Sequence, residues 1–561
     1  MLKVKMKKLF KEIPKLPIGY LYFLFFVISY ISVYVPYIQG MKINLGHDTY
    51  FHLNRIESLY NAISAGDYFP RIAHFFAFGM GYASSIFYSD IFLYPAALLR
   101  CVGFSLGLSY MYYMLLVTFL TFVVAYHSFH SISHSKQKSL FFAILYGLSS
   151  YRIADVVVRG ALGEILALMV LPIALAGLIQ IVRGNEKKFY VLSTGMASLF
   201  FSHTLSTLIF CLFIVGYLLL NIPILVKEKR RIVYLIYATL LTILMVIVNL
   251  LPTVEQLIFQ KLNVQSDQIF DLQTSAASIV EYIQNAMLNK GFNNLGWLII
   301  VAILFLLIRI KRITVQNKQL LLLGIVFFVL ATDHFPHYLF HDTMFNTIQF
   351  PWRYFIIVTI SITWVLADSL SVIFRNKRYQ SFVVASCAVL FLLGSVIHFE
   401  LVEGKKYKME YNSFSKLDGY DLGVGKEYLP AGMNYQKTVN EISGIYTSSK
   451  DIKINDADRS YNMITFNYTA NPPTTVTLPI IYYKGYVAEV TGSGKISKVE
   501  ESKEFKGLSE VTVSGEGTVE FWYKGTIIQK VSFGVSLVTW ISLAGYLINK
   551  RKIKYRTNNE L

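Results

Sequence analysis

Residues 16–41, LPIGYLYFLFFVISYISVYVPYIQGM, contain no Asp, Glu, Lys or Arg. A helix of that length crosses a hydrocarbon core of roughly 30 Å, and a soluble domain rarely has enough interior to bury one. The basic start, MLKVKMKKLFKEIPK, resembles the n-region of a signal peptide. The apolar run nevertheless exceeds an h-region, and no small-x-small cleavage site follows it, so it reads as an uncleaved first transmembrane helix. Composition extends the reading to the whole chain: 54% of the 561 residues are hydrophobic and only 15% charged. This is the balance of an integral membrane protein.

Further long apolar runs begin near Met111, Leu140, Glu164, Tyr190, Thr204, Ile232, Asn294, Lys318, Arg353, Gln380 and Gln529. They predict about twelve crossings. Basic clusters at Lys136/Lys138, Arg183/Lys187/Lys188, Lys227–Arg231, Arg309–Arg312, Arg375–Arg378 and Lys550–Arg556 fall at every second loop. The positive-inside rule then places both termini in the cytoplasm. That register requires residues 84–104, which include Asp90, Pro95 and Arg100, to lie at the outer interface without crossing. The net charge of +18 needs no nucleic-acid partner, because loop topology and anionic lipid account for it.

Residues 399–526 break the pattern. YNMITFNYTA, TTVTLPIIYYKGYVAEV, SEVTVSG and TVEFWYKG alternate β-branched and aromatic residues between Gly, Asn and Pro turns. The expected architecture is therefore an all-α polytopic membrane bundle over 1–398 with a long first outer loop at 39–108. A β-sandwich-like extracellular domain follows at 399–526, then a final helix and basic tail at 527–561. None of the three cysteines (101, 211, 387) lies in 399–526, so that domain has no disulfide framework.

With this topology the unusual polar residues collect outside. The first loop carries Asp48, His52, Arg55, Glu57, Asp67, Arg71, His74 and Asp90; YRIADVVVRGALGE carries Arg152, Asp155, Arg159 and Glu164. His203, Glu255, the His334/His337/His341/Asp342 group and Arg353 follow on later outer turns. A secondary transporter would place such groups near the bilayer midplane, often in repeated halves. An enzyme working at the outer interface on a lipid-borne substrate explains the distribution better. Each residue also has a plainer role. Asp48 precedes Leu53, Ile56, Tyr60 and Ile63 at helical spacing and could be an N-cap. Glu164 suits the positive end of a helix, and Arg159 and Arg353 could anchor the chain at the interface. The histidine group has metal-compatible spacing but is interrupted by Pro336. No phosphate loop or dinucleotide fingerprint is present, so a soluble nucleotide donor has no visible site.

GHDTYFHLNRI (46–56), RGALGE (159–164), FSHTLST (201–207), QFPWRY (349–354), KEYLP (426–430) and LPIIYYKGYVAEVTGSG (478–494) together resemble the GT-C glycosyltransferases. More narrowly they resemble the bacterial membrane proteins labelled pyruvoyl-tetrahydropterin-synthase-related, relatives of the YfhO-type lipoteichoic-acid glycosylation proteins. The resemblance implies a cell-membrane enzyme of a Gram-positive bacterium. Such an enzyme transfers a monosaccharide from a polyprenyl-phosphate donor, with inversion, to an extracytoplasmic polymer acceptor such as lipoteichoic acid. It implies Asp48 as catalytic base and Glu164 as its catalytic companion, with Arg55, His52, Arg152, Arg159, His203 and Arg353 binding substrate. Many superfamily members carry paired acids in the first loop where this chain has His47–Asp48. That departure leaves a divalent metal open and no other cofactor implied. Two other classes stand beside this one: a translocator of lipid-linked saccharide, and a noncatalytic envelope-assembly protein.

Overall fold

The computed structural model describes residues 17–38, 42–44, 46–266, 270–374, 376–393, 408–410 and 417–559. The basic start, Arg375, and the expected ectodomain's residues 399–407 and 411–416 lie outside them. In chain order the principal elements are α1 (Ile18–Ile38), β1 (Lys42–Asn44), α2 (Thr49–Ser64), α3 (Tyr94–Cys101), α4 (Leu106–Ser133) and α5 (Lys136–Gly147). Next come α6 (Leu162–Arg183), α7 (Phe189–Ser202), α8 (Thr204–Leu219), α9 (Arg230–Phe259), α10 (Trp297–Ile308), α11 (Val315–Leu330) and α12 (Phe355–Ile373). The chain ends with α13 (Lys377–Phe391), β2 (Lys408–Glu410), β3 (Ile452–Arg459), β4 (Met463–Ile481), β5 (Tyr486–Gly492), β6 (Lys495–Ile496), β7 (Glu500–Glu501), β8 (Leu508–Tyr523) and α14 (Ile527–Asn559).

Among the described residues five helices are long and apolar enough to cross a membrane, or six if α5 and the bent continuation Ser150–Arg159 form one span. Shorter apolar helices, among them α8, α10 and α11, run 12–16 residues. At 1.5 Å per residue these fall short of a full hydrocarbon core. The structure therefore supports a multi-pass helical protein, with five or six long candidates among the described residues where the apolar runs predict about twelve.

The chain forms two compact units, each assembled from three separate stretches. The first comprises Met1–His52, Phe104–Thr242 and Phe270–Ser415. At its centre α6 is buried over 94% of its most apolar window. Glycines set its packing. A Cβ on Gly177 would lie 2.3 Å from the Leu192 backbone nitrogen, and one on Gly195 would lie 2.5 Å from that of Ala174, so α6 and α7 meet backbone to backbone. Around them Phe25 of α1 stacks on Phe122 of α4 at 5.7 Å, and Trp364 of α12 packs against Phe129 and Phe142 at 4.6 and 5.1 Å. At one end Lys138 pairs with Asp368 at 3.1 Å. β1 pairs antiparallel with β2, so the chain leaves a short ribbon just before Gly46.

The second unit comprises Leu53–Gly103, Ile243–Ile269 and Lys416–Leu561. Its sheet is antiparallel, in the order β3-β4-β8-β5, with β6 and β7 also on β8. Ile464, Phe466, Tyr468 and Ala470 alternate inward along β4, the period-2 pattern of a half-buried strand. Among the described residues the strands pair into one six-stranded sheet. Residues 80–82 meet it: Ile481 N–H bonds Met80 O at 2.9 Å, and Tyr82 Oη accepts the Tyr428 N–H at 3.0 Å. Within 84–104 the helices are only four and eight residues long, too short to cross. The charges of this stretch are matched from α2: Arg55 with Asp90 at 2.7 Å, and Glu57 with Arg100 at 2.8 Å. α14 is mostly exposed, as expected of a helix facing lipid, and is tied by Ser536 Oγ to Met245 O at 2.5 Å.

Candidate functional site

In the first unit, five of the sequence-predicted residues come together: Asp48, Arg159, Glu164, His203 and Arg353. The backbone begins the assembly. Asp48 N–H donates to the Arg159 carbonyl at 2.8 Å. A Cβ on Gly46 would fall 2.2 Å from the Arg159 carbonyl carbon and the Gly160 nitrogen. Gly160 itself has φ +60°, and a Cβ there would collide with Thr49 Oγ1 at 2.0 Å. The GHDT turn and the RG turn therefore interlock with no room for a side chain at either glycine.

Arg159 is the hub. Its Nη1 lies 2.5 Å from Asp155 Oδ1 and 2.9 Å from Glu164 Oε2, with all three side chains nearly free of solvent. Asp155 and Arg159 sit at either end of a single π-helical turn that closes at Gly160. Glu164 enters from the first turn of α6, where the helix dipole favours a carboxylate. Its Oε1 accepts from the Tyr151 hydroxyl. Its Oε2 makes the ion pair but is not aligned for a hydrogen bond. Arg353 lies within electrostatic range of Glu164, Asp155 and Asp48, and His203 within range of Glu164. Asp48 also lies within range of Arg159.

Several polar groups here keep unused bonding capacity. Asp155 Oδ2, Arg353 Nε and Trp352 Nε1 are buried with no hydrogen-bond partner among the described residues. The Asp48 carboxylate likewise accepts no hydrogen bond there; the turn into α2 is held by the backbone bonds Thr49 N–H to Gly46 O (3.1 Å) and His52 N–H to Asp48 O (3.2 Å). Beside this cluster runs an aromatic wall. Trp352 stacks on Phe350 at 4.4 Å and meets Phe292 at 4.9 Å, and Phe292 meets the His47 ring at 5.7 Å. Desolvation holds the His47 imidazole below its usual range; Asp48 opposes that and Arg159 reinforces it. A lowered value favours neutral imidazole at pH 7.

The remaining predicted residues have other surroundings. Arg152 is buried and donates to Gly147 O and the Thr118 and Thr121 hydroxyls, which ties α4 to α5. Arg55 belongs to the second unit, where it bonds Asp90 and the Tyr88 and Ser89 carbonyls and lies over the Tyr88 ring. His52 is buried in α2 beside the Phe51 ring. The histidine group disperses: His334 pairs with Asp333, His341 with Asp271, and His337 lies 3.2 Å from Thr332 O. Among the described residues no three His, Cys, Asp or Glu side chains gather as metal ligands.

The fold and site define a multi-pass helical membrane protein with a buried carboxylate–arginine cluster joined to an acidic turn after the first apolar helix. The chain belongs to the YfhO family of bacterial membrane proteins, whose family model matches residues 74–413, more than half of the chain. Arg159, Glu164, His203 and Arg353 fall inside that stretch and Asp48 precedes it. An uncharacterized protein of Lactococcus lactis subsp. cremoris is 28% identical over 115 residues, which is 20% of this chain and 19% of that protein. The match thus spans about a fifth of the relative's length.

Proposed function

We propose that the protein is a GT-C-type glycosyltransferase that moves one sugar from a polyprenyl-phosphate donor to an envelope polymer outside the membrane. The observation that carries the reading is the convergence of an unbonded Asp48 carboxylate with two arginines, one of which keeps a buried, unpartnered Nε. In the proposed reaction an acceptor hydroxyl attacks the anomeric carbon and gives its proton to Asp48. The bond from that carbon to the phosphate oxygen breaks, the lipid phosphate leaves with its electron pair, and configuration inverts. The leaving dianion needs charge stabilisation, which guanidinium N–H groups of Arg159 and Arg353 supply. Glu164 and Asp155 hold Arg159 in place, and the Phe350/Trp352/Phe292 wall offers aromatic faces to a sugar ring.

Mass spectrometry of envelope polymers tests the reading. A deletion strain should lack a sugar substituent that the wild-type gene restores; identical polymers in the two strains would remove the proposal. Gly46→Ala should also lower transfer, because its Cβ displaces the Asp48 turn from Arg159, and a shift near 1 Å in such a site costs on the order of a hundredfold. Unchanged turnover in purified Gly46→Ala protein would dissociate the turn from the chemistry. The proposed topology puts both termini in the cytoplasm. A reporter active only outside should therefore work when fused within 417–526 and fail when fused after Arg556; the opposite pattern reverses the membrane orientation.

A further inference from the structure

A polar pocket of about 340 Å³ in the first unit lies away from the cluster just described, walled by His127, Ser128, Ser131, Gln180, Lys188 and Tyr190. It is built from the C-terminal part of α4, the C-terminal half of α6 and the start of α7. None of its lining residues is acidic. Lys188 is half-buried, and among the described residues its ammonium has no carboxylate partner. The nearby Glu186 instead faces Arg230 and Arg231, at 3.9 and 4.0 Å. Ser128 is 9% exposed, and its hydroxyl makes no hydrogen bond among the described residues. Gln180 stiffens the wall: its Nε2 donates to Ser131 O at 3.1 Å and its Oε1 accepts the Asn185 N–H at 3.2 Å. His127 Nε2 lies 2.8 Å from the Tyr22 hydroxyl.

An ammonium and a free hydroxyl are suitable donors to phosphate oxygens. The first turn of α7 adds Tyr190 and Val191 to the wall, which brings the positive end of that helix to the pocket. The adjoining segments carry Lys136 at the start of α5, Arg183 at the end of α6 and Lys187 in the turn before α7, a basic setting that concentrates anionic lipid. We infer that this pocket binds the phosphoryl headgroup of an anionic phospholipid. The site is independent of the transfer chemistry proposed for Asp48.

Native mass spectrometry of the full-length protein in detergent tests this, with phosphatidylglycerol, phosphatidylcholine and inorganic phosphate as probes. Phosphatidylglycerol should be retained over phosphatidylcholine. Lys188→Gln should weaken that retention by roughly fivefold, the scale of one basic contact at an anionic surface, and Ser128→Ala should weaken it as well. Lys188→Arg should preserve it, as should Lys187→Gln, whose side chain does not line the pocket. Thermal unfolding in the same detergent confirms that each variant is folded. Equal retention by wild type and Lys188→Gln, or equal retention of the two lipids, overturns the inference. If inorganic phosphate binds in a Lys188-dependent way and phosphatidylglycerol does not, the pocket is a free-phosphate site and the lipid assignment fails.

Discussion

Asp48→Asn is expected to reduce sugar transfer by roughly a hundredfold or more while membrane abundance stays at the wild-type level. Asn is nearly isosteric with Asp and caps helices equally well, so α2 should still begin at Thr49. The link between the two turns also survives, because the Asp48 N–H that reaches the Arg159 carbonyl belongs to the backbone. What disappears is the proton acceptor. An N-cap role predicts a different pattern, with near-normal transfer in Asp48→Asn and reduced abundance in Asp48→Ala. The carboxylate accepts no hydrogen bond among the described residues, which favours the first pattern. Both quantities should be measured in both variants, using purified protein with a synthetic polyprenyl-phosphate sugar; a fully active Asp48→Asn enzyme would remove Asp48 from the mechanism. The same assay separates transfer from translocation, since a translocator moves the lipid-linked sugar without forming product.

The membrane class was legible because it rests on composition and on uninterrupted apolar runs, both of which survive any detail of packing. Span number was less legible. Hydropathy reports apolar length, whereas α8 and α10 begin only after His203 and Gly296, whose backbones are non-helical, and α11 is over by Ala331. The interfacial reading of 84–104 came from its Asp, Pro and Arg. The structure adds the reason they are tolerated: Asp90 and Arg100 have partners on α2. The β-rich character of the C-terminal region was visible in its period-2 alternation. That pattern marks a sheet with one buried face but not the element that covers it.

The candidate site was half legible. Motif position singled out Asp48, Arg159, Glu164, His203 and Arg353, and these do converge. Arg55 and Arg152 stood behind Arg159 and Arg353 as candidates, and neither joins the cluster: Arg55 bonds Asp90 and Arg152 ties α4 to α5, a distinction no spacing rule makes. Asp155 was noted as an outer-loop charge but not as a member of the cluster. Its position four residues before Arg159 was a usable signal, because residues so spaced on a helical turn can pair. Tyr151 and Phe292 carried no such signal in a chain with 39 Tyr and 42 Phe, whereas Phe350 and Trp352 lie in the QFPWRY motif. Their selection depends on long-range packing, as when Phe292 meets Trp352.

Arg159→Ala is expected to lower both stability and abundance sharply. Its guanidinium lies within 2.9 Å of carboxylate oxygens on Asp155 and Glu164, whose side chains are 0% and 2% exposed. Removing one member of a buried ion pair typically costs about 3–5 kcal/mol, because the partner charge stays buried and unpaired. Here two carboxylates would be left facing one another. Adding Asp155→Asn and Glu164→Gln to Arg159→Ala should restore much of the abundance, since no uncompensated charge then remains, but should not restore transfer. Arg159→Lys separates the structural role from the chemical one. Its ammonium keeps the charge between the two carboxylates but lacks the planar fork, so the protein should accumulate and turn over poorly. The measurements are membrane abundance, thermal unfolding in detergent and transfer rate, across Arg159→Ala, the triple variant and Arg159→Lys. Wild-type thermal stability in Arg159→Ala would mean that the ion cluster does not hold the fold. Full transfer by Arg159→Lys would place the leaving phosphate elsewhere, with Arg353 as the next guanidinium to test.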